Sequence, residues 1–258
     1  ALYSGDLFGN VWKVDITGTG VTDWKFETGS NSQPQPMFTA TSRDTPAASQ
    51  PITIRPSVAY HPNGGLLVMV GTGKYIETTD VSVDNQTTQS LYGLWDKPGR
   101  TETISRARLL EQTLVNEIAA TPYNHRETSK NLIDWDQKDG WYLDLYYQGK
   151  NNGERLNSKI LIRNTVGAFT TLIPSTDPCT GGGTGWYMEV DIYTGSNKNY
   201  IDQSALINRI PSDPVGTITP DSDGNKKITN NVKIDGGKPF VSPEVSLTTG
   251  TVSWQMLY

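Results

Sequence analysis

The sequence predicts an all-β fold built from short antiparallel strands. Three observations carry that expectation. Short apolar stretches rich in Val, Ile, Tyr and Trp recur along the chain, with turn residues between them. Gly (25) and Pro (15) supply frequent punctuation. Seven Trp and 12 Tyr supply aromatic mass for a packed core, although only 35% of residues are hydrophobic.

Composition also excludes functions. Charged residues make up 19% of the 258, with a net charge of −5. A nucleic-acid binder would carry a basic surplus. No apolar run approaches the roughly 20 residues that span a bilayer. The chain starts at Ala1 with no signal peptide, so it is expected to be processed, engineered or cut from something longer. A single cysteine, Cys179, rules out an internal disulfide framework and a thiolate zinc site. Cys179 has no cationic neighbour to activate it, which points to a structural thiol or one paired outside this chain.

The elements follow in order. Val11-Trp12-Lys13-Val14-Asp15-Ile16 reads as a strand ending in Thr17-Gly18, and Val21–Phe26 as a second. Residues 29–51 read as a loop of Ser, Pro, Gln and Thr. Ser57–Tyr60 and Leu66–Val70 flank Asn63-Gly64-Gly65, a hairpin signature. Residues 77–90 form a polar loop before the strand Leu91–Asp96. Ala107–Ala120 fits a helical stripe through Leu110, Leu114 and Ile118, but its strand-rich surroundings favour a strand. Further strands cover Gly140–Leu145, Thr170–Ser175 and Gly185–Asp191, and Gly181–Gly185 reads as a flexible linker within a sheet. Residues 196–236 read as a third long loop. Strands at Glu244–Leu247 and Thr251–Trp254 close the chain.

An internal repeat refines the class. Val11–Gly18 parallels Tyr187–Gly195, and Val245–Gly250 followed by Trp254 is a fainter copy. A strand ending in Asp, a tight turn at Gly and a further strand with Trp is the rhythm of propeller blades, four strands and roughly 40–50 residues each. The expected fold is therefore a β-propeller of four-stranded antiparallel blades. Four or five blades of that size fit this chain, as one domain over residues 1–258. Because open stacks leave unpaired edges, the chain is expected to be an incomplete ring, or the C-terminal blades of a larger propeller.

Candidate chemistry is sparse. Asp221, Asp223 and Asn225 place oxygens at alternate positions around Gly224, the spacing of calcium loops. Lys226 and Lys227 follow where more ligands should come, and position 232 is Val, so a plain Asp/Gly turn is the alternative. Asp134, Asp136 and Asp139 could be paired acid–base carboxylates or a solvated loop. His61, beside the hairpin turn, and His125, in a polar stretch, are too separated for a histidine site. Gly71-Thr72-Gly73-Lys74 lacks phosphate-loop spacing and precedes no helix. Asn85-Gln86-Thr87 is an isolated glycosylation sequon.

Seven segments stand in order along the chain: Gly5-Asp6-Leu7-Phe8-Gly9-Asn10-Val11-Trp12, Gly71-Thr72-Gly73-Lys74-Tyr75, Ser90–Asp96, Gly140–Leu145, Gly153-Glu154-Arg155, Gly185–Asp191 and Val252-Ser253-Trp254. Together they resemble the PilC/PilY family of type IV pilus tip proteins. The resemblance implies the C-terminal β-propeller of an exported pilus biogenesis factor and adhesin. Such a module would sit at the bacterial surface, outer membrane or pilus tip. It would work with minor pilins and the N-terminal remainder of its own protein, and support assembly, twitching and attachment. The family's usual calcium loop would lie upstream of Ala1, which leaves Asp221-Ser222-Asp223-Gly224 as a degraded second one. No Arg-Gly-Asp triplet occurs, so integrin binding through that motif is not implied. A receptor is not legible. The alternative is a fragment of a quinone-dependent dehydrogenase-like propeller, which needs calcium ligands, a catalytic Asp and a stacking Trp. The strand contexts of Trp12, Trp95 and Trp186 favour core packing instead.

Overall fold

The chain opens on a hairpin set by one carboxylate. In the computed structural model, Leu2–Gly5 (β1) and Asn10–Asp15 (β2) pair antiparallel. Asp6 accepts the backbone N–H groups of Phe8 and Asn10, both at 2.9 Å, and the Trp12 indole N–H at 2.8 Å. Gly9 takes φ 85°, and a Cβ there would lie 2.7 Å from the Gln50 carbonyl oxygen. The described residues are 1–29, 32–84, 86–121, 123–177, 182–197, 204–208, 211–220, 226–232, 240–241 and 245–246, with backbone alone from residue 216 onward.

The second expected strand forms only in part. The Asp23 carboxylate takes the Gly20 N–H at 3.1 Å, which curls Val21–Asp23 into a 3-10 turn. Only Lys25–Phe26 (β3) runs beside β2. The expected loop 29–51 contains Phe38–Thr39 (β4), which also pairs β2. Phe38 is fully buried, and the Met37 N–H donates to the Val11 carbonyl.

The second blade carries Ser57–Tyr60 (β5), Leu66–Gly71 (β6), Ser90–Asp96 (β7), Leu110–Gln112 (β8) and Gly140–Asp144 (β11), in the order β5-β6-β7-β11-β8. Leu114–Ile118 (β9) pairs with His125–Thr128 (β10) as a separate ribbon. After a 3-10 turn at Arg106–Arg108, the segment 107–120 is mainly strand, as expected, because β8 pairs parallel to β11 and β9 pairs β10. The expected β5–β6 hairpin also forms, with Gly64 and Gly65 at φ 83° and 75°.

Leu161–Arg163 (β12), Val166–Thr170 (β13), Ile173–Pro174 (β14), Gly183–Asp191 (β15) and Ser204–Ile207 (β16) make the third blade. Its first correction concerns the glycine run, since Gly183–Gly185 belong to β15. Gly183 faces β14 so closely that a Cβ would meet the Ile173 carbonyl oxygen at 2.4 Å. The second correction concerns residues 196–236, expected to be a loop. They hold β16 and the paired strands Val215–Pro220 (β17) and Lys226–Val232 (β18). There the β-branched residues of Val215-Gly216-Thr217-Ile218-Thr219 and Ile228-Thr229 outweigh the surrounding turn formers. Phe240–Val241 (β19) and Val245–Ser246 (β20) complete that sheet. The expected strand at Thr251–Trp254 lies outside the described residues.

The core explains the apolar runs. Val68, Val70, Tyr92 and Leu94 face the first blade, the sheet of β1–β4, and pack with Val11, Met37, Phe38 and Ile52. Leu67, Met69, Leu91, Trp141 and Leu143 face the third blade and pack with Phe169, Trp186, Met188 and Ile192. A sheet buried on both faces needs apolar residues at successive positions, and β6 and β7 supply them.

Trp141 sits at the junction of the second and third blades. It is fully buried and donates its indole N–H to the Ile192 carbonyl at 2.7 Å. Gly93 on one side and Gly195 on the other lie against its ring: a Cβ would come within 2.4 Å at Gly93 and 2.3 Å at Gly195. Gly195 (φ 73°) closes the turn after β15, where Asp191 accepts the Tyr193 N–H at 3.0 Å. Asp15 accepts the Thr17 N–H at 2.9 Å in the same way, which is the physical content of the internal repeat.

Trp141→Ala and Trp186→Ala should each cost about 3–5 kcal/mol, read as a loss of folded protein in urea titrations. Gly195→Ala tests the ring contact separately. Gly99 has the same φ of 73° but nothing within 4 Å, so Gly99→Ala carries only the backbone strain. Gly195→Ala should be about 1–3 kcal/mol more destabilising than that control. Equal costs would mean that the indole does not press on Gly195.

Candidate functional site

The acidic candidates separate in the fold. Asp134 and Asp136 are exposed, and the Asp134 carboxylate caps the Asp136 N–H at 3.0 Å. Asp139 is buried and takes Lys97 Nζ at 2.9 Å, Arg100 Nη2 at 2.9 Å and Arg108 Nε at 2.6 Å. Burial alone would raise its carboxyl, but hydrogen bonds from Arg108, Lys97 and Arg100 outweigh it and hold the group far below the usual range. Asp139 is therefore an anchor for three cations, and these carboxylates do not converge on one cleft.

The histidines are structural. His61 stacks on Trp95 at 4.2 Å, meets the edge of Trp135 at 4.3 Å, and accepts the Asn63 N–H at Nδ1. Burial, helped by Lys97, lowers its pKa to about 4. His125 is not in a polar loop, as its neighbours suggested, but buried in β10, where Nδ1–H donates to the Ser204 carbonyl at 2.7 Å. Trp12 donates to Asp6, Trp95 donates to the Gly64 carbonyl, and Trp186 lies under Arg126 at 4.1 Å. Asp221, Asp223, Asn225, Cys179 and Asn85 lie outside the described residues. The first three fall between Pro220 and Lys226, which are paired across β17 and β18. Among the described residues no group of three or more His, Cys, Asp or Glu is placed to hold a metal ion.

What the structure does bring together is a cleft of about 290 Å³ where loops of the three blades meet. Leu7 and Pro51 line it from the first blade's side, Lys74 and Gln89 from the second, and Gly153 and Arg155 from the third. The Gly73 N–H donates to the Pro51 carbonyl at 2.7 Å, which joins the first two walls. The Lys74 ammonium binds Glu77 at 3.1 Å and Asp80 at 3.4 Å, so the phosphate-loop look-alike holds carboxylates of its own chain.

Arg155 is buried, and carbonyl oxygens surround its guanidinium. Nε donates to Gly153, Nη1 to Lys74 and Asp80, and Nη2 to Ser82. No carboxylate of the described residues lies within 4 Å of it. Burial pulls its pKa down, and Asp80 opposes that from a distance. The preceding Glu154 turns the other way, to Arg126 Nη1 at 2.7 Å and the Thr171 hydroxyl. Gln89 is only 8% exposed; its Nε2 donates to the Thr87 carbonyl at 3.0 Å, and its Oε1 has no partner. Sequence reading missed this site. Gly153-Glu154-Arg155 stood out as a landmark and Gln89 did not stand out, because spacing cannot show that loops from three blades converge.

Known proteins compare as follows. Residues 1–125 match the family described as the PilY1 beta-propeller domain. The type IV pilus biogenesis factor PilY1 of Pseudomonas aeruginosa is 33% identical over 227 residues, which covers 77% of this chain and 19% of that protein. A PilY1 homolog of Xylella fastidiosa is 31% identical over 198 residues, 75% of this chain and 13% of its own. The crystal structure of the P. aeruginosa PilY1 C-terminal domain superposes with a TM-score of 0.72 at 24% identity, over 93% of this chain and 57% of that one. The chain thus spans less than a fifth of the curated Pseudomonas relative's length.

The two buried titratable groups, His61 and Asp139, predict separate pH windows. His61 stays neutral in the fold down to about pH 4, whereas in the unfolded chain it takes up a proton near pH 6.5. Stability should therefore fall as pH drops from 6.5 towards 4, by on the order of 3 kcal/mol, and His61→Phe should remove that part of the slope. Asp139 acts lower. Its contribution is present above the unfolded value near pH 3.9 and is lost as pH falls beneath it. Asp139→Asn should cost about 3 kcal/mol at pH 7 and flatten the acid limb in urea titrations.

Proposed function

This chain belongs to the PilC/PilY family, as part of its C-terminal propeller, and from that premise we propose that it acts as a type IV pilus biogenesis module. The observation that carries the reading is the 33% identity to a type IV pilus biogenesis factor over 77% of this chain. In this reading the module is exported and displayed at the bacterial surface or pilus tip. It supports assembly, twitching motility and attachment as an adhesin domain. Its partners are minor pilins and the remainder of its own protein. The role is one of binding and assembly rather than catalysis, in keeping with the relatives' name.

The physical basis is a rigid scaffold bearing long connections. Packing buries both faces of the second blade, and segments such as 77–84 sit at the blade ends, where recognition residues are free to vary. No described helix is long and apolar enough to cross a membrane.

Calcium belongs to the same proposal. Asp221, Asp223 and Asn225 supply three of the six to eight oxygens a calcium ion takes, and carbonyls or water would supply the rest. Calcium titration should raise the melting temperature of the wild type but not of Asp221→Asn/Asp223→Asn. An unchanged wild-type melting temperature would remove the ion from this chain.

The functional test is an in-frame chromosomal deletion of residues 1–258 in the encoding bacterium. Surface pili counted by electron microscopy and the twitching zone should both collapse. Normal piliation with normal twitching would overturn the proposal.

A further inference from the structure

The cleft at the meeting of the three blades carries an inference independent of the pilus reading. Its two buried polar groups are incompletely served by the protein. The Gln89 amide has a fixed orientation, because its Nε2 must face the Thr87 carbonyl, a pure acceptor. That leaves Oε1, buried and without a partner, as an acceptor in need of a donor. Arg155 spends four of its five N–H groups on neutral carbonyls, which leaves one Nη2 hydrogen unassigned. A buried guanidinium normally has a carboxylate or phosphate against it. Here Asp80, the nearest candidate, directs its carboxylate to Lys74 and to the N–H groups of Ile76 and Glu77.

A ligand that completes both groups needs an N–H or O–H donor and an anionic oxygen close together. An inorganic anion offers charge without a donor of fixed position. A neutral sugar offers donors without the charge, and no aromatic ring lines the cleft for any sugar to stack on. The last residue of a peptide offers both, since its backbone nitrogen stands two bonds from the carbon of the terminal carboxylate. Leu7 and Pro51 give the walls an apolar patch for a side chain, and Lys74, one-third exposed, stands at the rim as a second cation. We propose that the cleft between Gln89, Arg155 and Lys74 binds a peptide C-terminus. The backbone N–H of the peptide donates to Gln89 Oε1, and the carboxylate meets Arg155 Nη2 and the Lys74 ammonium. Capture of a terminal carboxylate in a backbone-lined recess is a recurring recognition mode.

The test is an NMR titration of the full chain with N-acetyl-glycylglycine, its C-terminal amide, acetate and inorganic phosphate. The free acid should shift resonances of residues 72–75, 86–89 and 153–155. It should bind at least ten-fold tighter than the amide and tighter than acetate or phosphate. Gln89→Leu should lose at least ten-fold in affinity for the acid while acetate binding stays within two-fold. Lys74→Gln, at a half-buried position, serves as the second variant if Gln89→Leu does not fold, and should also weaken the acid. The proposal falls if acid and amide bind alike, if phosphate or acetate matches the acid, if the folded variants bind as the wild type does, or if nothing binds at millimolar concentration.

Discussion

The contact of the Trp141 indole with two glycines governs the stacking of the second and third blades. The ring occupies the space where side chains at positions 93 and 195 would otherwise project, and its N–H ties it to the Ile192 carbonyl. One side chain thereby fixes β7 beneath it, β11 that carries it and the turn that ends β15. Interiors packed to crystal-like density leave such a ring no alternative position. The Trp186, Phe169 and Met188 side chains then pack around it and continue the core into the third blade.

The opposite face of the second blade is joined to the first by polar groups as well as apolar ones. Arg106 grips Asp144 with two hydrogen bonds, at 2.7 and 2.9 Å, and also reaches the Tyr92 hydroxyl and the Thr41 carbonyl. Gln50 crosses from the first blade to the Thr88 carbonyl and the Ser90 hydroxyl, and Ser90 donates onward to Asp144. A satisfied buried network of this kind fixes one mutual orientation of two sheets, because any slip strands a polar group. The blades consequently form a stiff stack, and the cleft where their loops meet inherits a fixed shape. Such a scaffold suits a protein whose relatives build pili, since contacts offered from rigid elements need little ordering on binding.

Much of the blade rhythm was legible in the chain. Alternation in Val11–Asp15, the Asn63-Gly64-Gly65 turn and the Asp191–Gly195 turn each follow from local chemistry, so sequence and structure agree there. Ala107–Ala120 was ambiguous by periodicity, and tertiary pairing with β10 and β11 decided it. Val21–Asp23 misled because its β-branched residues suggest a strand, while the Asp23 cap curls the backbone. Residues 215–232 misled in the other direction, since Asp, Asn, Gly and Pro around them hid a paired hairpin. The candidate site was illegible for a different reason. Lys74, Gln89 and Arg155 come from three distant segments, and only blade stacking brings them together. Asp139, read with Asp134 and Asp136 as paired carboxylates or a solvated loop, gains its role from Lys97, Arg100 and Arg108, which spacing could not assign to it.

Amide hydrogen exchange on the intact chain tests the central claim most directly, that packing around Trp141 makes the second and third blades one cooperative unit. The account predicts that β6, β7, β11, β13 and β15 exchange with the same, highest opening free energy and the same denaturant dependence. Exchange of β13 and β15 at a clearly lower free energy, with β6 and β7 still protected, would show that the third blade opens alone and would contradict the account.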